Sequence, residues 1–522
     1  MKKQNFYFLS LVALLFILAN CQMNKSQLPP LNYKPIWEKA GYPGGIPEIN
    51  TNIINVMDKG AKADGITDDY GIIQSTIDNA DVPGVIFFPA GTYRVNGQLR
   101  LKSGIVLRGK DAESTHLEFD SQDGCIQASG SNSGNYIKIT GGSGFGSNRI
   151  VVADASGFEP GDGGNIRQGM VHKVTLSWLE NPRTVGQMVK ITGINGNTLT
   201  IEPALNFDYA SNPPLDSTEG PEISKVNYIK DAGIENMHIK RIHSDAEGGG
   251  NNITFNCAEN SWVKSVESEY TLKYHVSASQ SLHLEIRGNC IHDARSKGGG
   301  GQGYGVSLAG QTTATLVEDN IFYELRHAMI NQTGVNGCVI AYNYAERNYN
   351  EQGGSMTAIS FHGHYSHMNL AEGNVVSFIG IGDWWGPDGP GNTIFRNRVM
   401  GTDRYAGFGD YRGLMYRDFK GPQYIIGNEV IGGNIYFARV ANVDSDSSLV
   451  VIHGNNVKGT ISWDPGIADH KIPESLYRNS KPGFFKELTW PPFGAENQIG
   501  SGTIPALERW GTGKYIPSKN IE

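Results

Sequence analysis

The residues of this 522-residue chain best suited to chemistry are histidines set beside cations. His327 follows Arg326 in the run LRHAMINQ, and His275, His362, His364 and His367 lie in neighbouring stretches. Asp383 precedes Trp384 and Trp385, and Tyr411 and Arg412 are followed by Tyr416, Arg417, Asp418 and Lys420. An imidazole with its ordinary pKa of about 6.5 takes or gives a proton near neutrality. A guanidinium or ammonium beside it stabilises a carboxylate while negative charge builds next to it. His327 as base, with His362 and His364 as substitutes, a cation from Arg326, Arg417 or Lys420, and an acid from Tyr411 or Tyr416 would together remove a proton from a carbon adjoining a carboxylate. Hydrolysis needs two carboxyl groups instead. The one adjacent pair, Asp68 and Asp69, is remote in sequence, which leaves Asp383 with Asp388 or Asp418. Neighbouring side chains on a strand point to opposite sides, so one of Trp384 and Trp385 is expected to be exposed. Its flat face, with Tyr411 and Arg412, would hold a ligand.

A lone histidine on a strand is usually structural, so these residues matter only if the fold brings them together. A repeated phrase says that it does. Apolar residues, a short pair ending in Asn, then apolar residues recur in EIRGNCI, LVEDNIF, VIAYNYA, LAEGNVV, IFRNRVM, IIGNEVI and VIHGNNV. Asn289, Asn320, Asn343, Asn374, Asn397, Asn428 and Asn455 are thus spaced by 31, 23, 31, 23, 31 and 27 residues. Asn236 and Ser265 sit in two fainter copies. A phrase at such a period marks a solenoid, each unit burying its apolar face against its neighbours. Apolar alternation over four to six residues, rich in Val, Ile and Phe and punctuated by Gly, Asn and Asp, favours strands over helices. Roughly 23 residues at about 3.3 Å each suffice for three short strands and three turns, a parallel β-helix. Stacked asparagines would satisfy one another along one inward turn. The longer coils carry 31 − 23 = 8 extra residues, in GGGGQGYG, RNYNEQGGSM and DRYAGFGDYR. Loops repeated at one point of the cycle project from one face, which predicts a cleft walled by 298–305, 347–356 and 403–412.

The rest of the chain frames this solenoid. Met1 to Cys21 reads as an export signal: Lys2 and Lys3, an apolar core through Leu18, then LANC. It resembles a bacterial lipoprotein signal with Cys21 as the acylated residue, although Asn20 stands where a small residue is usual. Residues 22–45 read as a polar, Pro-rich tether, 46–140 as an amino-terminal β-helix segment, and 213–465 as the main β-helix. Between them, 141–212 carries hairpin signals such as Asn195–Gly196 and reads as a small β insert. The aromatic tail 466–522 is expected to cover the last coils. A net charge of −8 and the absence of any basic run argue against a nucleic-acid partner. Cys125, Cys257, Cys290 and Cys338 lack metal-type CxxC spacing and read as buried small residues.

The stretch 53–109 supplies a specific likeness. Gly60, Ala61, Asp64, Gly65, Thr67, Asp68, Asp69 and Gln74, then FPAGTY at Phe88 to Tyr93 and a closing LRG, resemble the amino-terminal segment of the pectate-lyase-like β-helix superfamily. That superfamily includes polysaccharide lyases, family 28-type glycosidases, epimerase-like proteins and phage tailspikes. Tyr70 departs from the usual Thr, and Tyr70 to Asn79 reads as a capping helix. The resemblance implies a right-handed, all-β solenoid, consistent with the usual crossover hand. It also implies carbohydrate as the substrate class. An acidic polysaccharide or oligosaccharide then becomes the expected partner and β-elimination on a uronate the expected reaction. An inverting hydrolase and a non-catalytic glycan-binding surface protein remain the alternatives. Membrane contact is expected only through lipid at Cys21, placing the protein in the cell envelope or periplasm. Calcium, which lyases of this superfamily often use, is left open: no stretch has an EF-hand pattern.

Overall fold

The computed structural model describes residues 28–171, 183–243, 250–351, 354, 356–382, 386–401, 413–438 and 446–512. Among these the chain winds into a right-handed parallel β-helix with three sheets. A representative coil runs Leu316–Glu318 in the first sheet, Ile321–Leu325 in the second and His327–Gln332 in the third. Each strand pairs in parallel with its counterpart one coil away. The inward row Ile286, Val317, Ile340, Ala371, Ile394 and Ile425 stacks in register through the first sheet and is buried in the core. The strands are short and β-branched because each need span only one side of the coil before turning.

One turn explains the repeated phrase. The residue ending each first-sheet corner is left-handed: Gly288, Asp319, Tyr342, Gly373, Arg396, Gly427 and Gly454 all have φ between 50° and 67°. The following asparagine points inward. Each Asn Oδ1 accepts the backbone N–H of the asparagine one coil before it, as in Asn343 N to Asn374 Oδ1 at 2.9 Å. Each Nδ2 before Asn455 donates onward, as in Asn374 Nδ2 to Asn397 Oδ1 at 2.8 Å. The ladder runs from Asn289 to Asn455. Asn236 and Ser265 are not part of it. They occupy the left-handed position, at φ 58° and 55°, and the ladder's place is taken in those coils by Met237 and Val266, both buried.

The β insert is larger than its hairpin signals suggested. Six strands from Ser131–Gly141 to Glu222–Asn227 form a closed barrel with its own core of Ile150, Ile166, Val189, Leu199 and Phe207. Its first and last strands, expected in the solenoid, therefore belong to the barrel. Residues 28–45 are also no tether: Trp37 is fully buried and donates Nε1–H to Met368 O at 2.7 Å. The tail lies along the outer face of the first sheet, from the last coils, where Arg396 and His453 bond its backbone, back to the coil of Glu318. Tyr477 Oη donates to Glu318 at 2.6 Å, and Arg509 holds Asp319 with two bonds of 2.9 and 2.8 Å.

The helix Tyr70–Asn79 forms as expected. Asp69 and Asp68 serve turns: Asp69 accepts the Lys62 and Ala63 N–H groups, and Asp68 those of Tyr70 and Asn96. The four described cysteines are buried and free. No helix among the described residues is long and apolar enough to cross a membrane.

Candidate active site

The long loops leave from one corner, between second-sheet and third-sheet strands. Residues 295–303 separate Cys290–Ala294 from Tyr304–Ala309, and 349–358 separate Tyr344–Asn348 from Ile359–His362. The third, 403–412, falls outside the described residues. This corner opens onto the outer face of the third sheet. There Val306, Met329, Ile359, Ile379 and Leu414 point into the core, as do Leu308, Phe361, Ile381 and Tyr416. Alternation then turns Ser307, Ile330, Ser360, Gly380 and Met415 outward in one row. Gln332, His362, Gly382 and Arg417 follow in the next.

His327 stands at the loop end of this face, in register with Tyr304 and Tyr274. Its ring meets Tyr304 edge-on at 4.9 Å, and Tyr304 lies 5.4 Å from Tyr274. Strand alternation alone would have set Arg326 and His327 on opposite sides. The conflict disappears because Arg326 sits at the corner between the strands Ile321–Leu325 and His327–Gln332. A bulge follows, where the N–H groups of Ala328 and Met329 both reach Ala358 O. Arg326 Nη1 is anchored by the carbonyls of Lys297 and Gly298 at 3.0 and 3.1 Å.

His327 Nδ1 lies 2.8 Å from Thr357 O and 2.9 Å from Thr357 Oγ1. A carbonyl can only accept, so Nδ1 carries the hydrogen and Nε2 presents a lone pair. Burial pushes the imidazole down to about 3; the Thr357 carbonyl opposes this, while the charges of His362 and Arg326 add to it. His327 is therefore neutral throughout the neutral range, its pKa well below the ordinary imidazole value expected from the sequence.

The other expected residues divide. His362 and Arg417 share the far outward row, two coils and so roughly 10 Å apart along the axis. Tyr416, expected as an acid, belongs to the core: its ring packs at 5.4 Å from Phe437 and 6.3 Å from Phe419. The alternation that sends Arg417 outward sends Tyr416 in. His364 lies beyond the strand in a left-handed turn, φ 66°, its carbonyl accepting from Gly334 N. Lys420 lies past the same face, its N–H bonded to Asp388 O. His275 is sealed inside against Ser268, and His367 is held by Asn206 and Tyr365 O next to the barrel. Asp388 is fully buried, its Oδ2 accepting Gly382 N at 2.8 Å, so it caps the backbone and does not face a ligand. Asp383, Trp384, Trp385, Tyr411, Arg412 and Cys21 lie outside the described residues. Thr357 and Tyr304 escaped sequence reasoning. Tyr304 closes the GGGGQGY loop, which was a usable signal, whereas the Thr357 contact depends on the bulge.

Among the described residues, the outward positions on this face from Tyr274 to Arg417 carry hydroxyl, amide, imidazole and guanidinium groups and no carboxyl. Calcium takes roughly six to eight oxygen ligands, carboxylates prominent among them. No group of three or more His, Cys, Asp or Glu suited to a metal gathers among the described residues.

Residues 53–177 match the sequence model of the family described as rhamnogalacturonase A/epimerase, pectate lyase-like. A 74-residue stretch is 39% identical to the mannuronan C5-epimerase AlgE4 of Azotobacter vinelandii, covering 12% of this chain and 13% of that protein. Among solved structures, the tailspike gp61 of Pseudomonas phage phi297 superposes with a TM-score of 0.57 at 14% identity, covering 78% of this chain and 70% of that one. The tailspike gp49 of Pseudomonas phage LKA1 gives 0.55 at 16% identity, covering 72% of this chain and 64% of that one. At these identities the likeness to the tailspikes is one of fold.

Proposed function

We propose that this chain acts on a uronate-containing polysaccharide or its oligosaccharides, with His327 removing the proton at C5 and the C4 substituent then leaving by β-elimination. One observation carries the reading. The loop-walled face sets a neutral imidazole with a free Nε2 lone pair beside the Arg326 guanidinium, with no carboxyl at the described outward positions. A base with cations suits proton abstraction beside a carboxylate, whereas hydrolysis requires a carboxyl pair. Arg326 would hold the substrate carboxylate as charge develops on it, and Arg417, three coils further along the face, would hold a neighbouring sugar of the chain. Tyr304, edge-on to His327, is placed to hold the sugar ring. No step requires calcium.

A second reading, C5 epimerisation, is favoured by the match to a mannuronan C5-epimerase. It shares the first step and differs in the fate of the carbanion: reprotonation from the opposite face replaces loss of the C4 oxygen. For the mature protein we further propose export to the cell envelope with Cys21 lipidated, which the mass of the mature amino terminus tests. Incubation with a panel of uronate polymers, followed by ultraviolet absorbance of a new C4–C5 double bond conjugated to the carboxylate, tests the reaction. Elimination gives absorbance that His327→Gln reduces by about 10²-fold or more, the usual share of a general base. New reducing ends without absorbance overturn elimination in favour of hydrolysis, and no change in any polymer leaves a glycan binder.

A further inference from the structure

A second cleft lies on the outer face of the first sheet, far around the coil from His327. The segment 44–48 forms one wall, and the outward row Arg108, Glu235, Lys264 and Arg287, in register on four successive coils, forms the floor. Its volume is about 490 Å³, within the range of small-ligand sites.

The charges of this row are unevenly spent. Arg108 Nε is paired with Glu235 at 2.7 Å, and its Nη1 reaches Asn50 at 3.3 Å. Arg287 Nη2 bridges Glu285 and Glu318 at 3.0 and 2.6 Å, but its buried Nε has no partner among the described residues. Lys264 lies between Glu235 and Arg287 in the register, yet its ammonium forms no hydrogen bond or ion pair among the described residues, and its side chain is only partly exposed. Glu48, at the mouth, is exposed. The cleft thus offers one unspent ammonium and one unspent guanidinium N–H, carried on neighbouring coils whose backbones lie about 4.8 Å apart. Around them stand the acceptors Glu235, Glu48 and Asn236.

From this we infer that the cleft binds a short saccharide carrying one carboxylate, the carboxylate on Lys264 and Arg287 Nε and the ring hydroxyls on Glu235, Asn236 and Glu48. A free phosphate or sulfate would use the cations alone and offer no ring hydroxyls to Glu48, Asn236 and the Arg108-paired Glu235, so a sugar acid suits the whole lining better. The site is separate from the His327 face and does not depend on the reaction proposed there.

Hydrogen–deuterium exchange of the full chain tests it, because the readout is local. Digalacturonate should slow exchange in peptides spanning 42–50 and 260–266, and the neutral galactose disaccharide should not. Polygalacturonate serves as the third probe: protection by the dimer assigns the site to released saccharides, and protection by the polymer alone assigns it to chain segments. Lys264→Ala should weaken the protecting affinity at least tenfold, and Lys264→Arg should largely restore it. Turnover at the His327 face should be unchanged in both variants. Absence of protection by either acidic probe, equal protection by the neutral disaccharide, or undiminished protection in Lys264→Ala would each overturn the assignment.

Discussion

Replacing Asn374 by Ala removes one rung from the middle of the buried ladder, and the cost can be worked from its bonds. Asn374 Oδ1 accepts from Asn343 N and Nδ2, both at 2.9 Å, while Nδ2 donates to Ile340 O at 2.9 Å and Asn397 Oδ1 at 2.8 Å. Two of the partners keep another bond: Asn343 Nδ2 still reaches Val317 O, and Asn397 Oδ1 still accepts Asn374 N. The Asn343 N–H loses its side-chain acceptor inside the core, at about 1–3 kcal/mol, and the remaining three bonds are worth about 1 kcal/mol each. The expected loss is therefore about 4–6 kcal/mol. Asn455→Ala, at the ladder's end, should cost less, because no later asparagine accepts from it and its own Nδ2 bonds only carbonyls. Denaturant unfolding followed by circular dichroism gives both values, compared as midpoint shifts because a solenoid can unfold in stages. A loss below about 1 kcal/mol for Asn374→Ala, or a larger loss for Asn455→Ala, would refute the ladder as a main source of register and stability.

Two further outcomes follow from the histidines. His327 is pushed down to about 3 and His367 to about 4, both by burial, so in acid the unfolded chain binds protons that the folded chain refuses. The sign is then fixed: this stability is present above about pH 6.5 and is lost as pH falls toward 4 and 3. Each pKa unit is worth about 1.4 kcal/mol, so wild type should lose a few kcal/mol more than His327→Gln across that window. Parallel melting-temperature profiles of the two proteins would contradict this. Thr357→Val deletes the hydroxyl beside His327 Nδ1 but leaves the carbonyl that fixes the tautomer. Steady-state kinetics should show kcat lowered by less than about tenfold with KM little changed, against about 10²-fold or more for His327→Gln. An equal collapse in both variants would show that the hydroxyl, not the carbonyl, holds the ring.

Much of the architecture could be read from Asn289 to Asn455, because a stacked amide imposes a strict spacing and leaves a visible phrase. The same regularity misled at Asn236 and Ser265, where the left-handed residue mimics the ladder residue one position later. The barrel's first and last strands were misassigned because their alternation matches that of a solenoid strand; only the antiparallel pairing of Ser131–Gly141 with Glu222–Asn227 distinguishes them. Trp37 was hidden inside a stretch whose prolines and polar residues suggested a tether. The placement of His327 and His362 on third-sheet strands beside the long loops, with Arg417 just after one, could be anticipated from the spacing of the phrase. That of Tyr416 could not, since only the register decides which of two neighbours faces the core. Thr357 is positioned by a bulge, and a bulge leaves no periodic trace.

The central claim is that Nε2 of His327 takes the C5 proton of a uronate. Turnover of a uronate polymer in D₂O, followed by NMR of the products, tests it most directly. The C5 proton should be lost to solvent, either with a new C4–C5 double bond or with deuterium at an inverted C5, and His327→Gln should slow that loss by about 10²-fold or more while remaining folded. Products cleaved with the C5 proton retained, or C5 exchange undiminished in the folded His327→Gln protein, would contradict it.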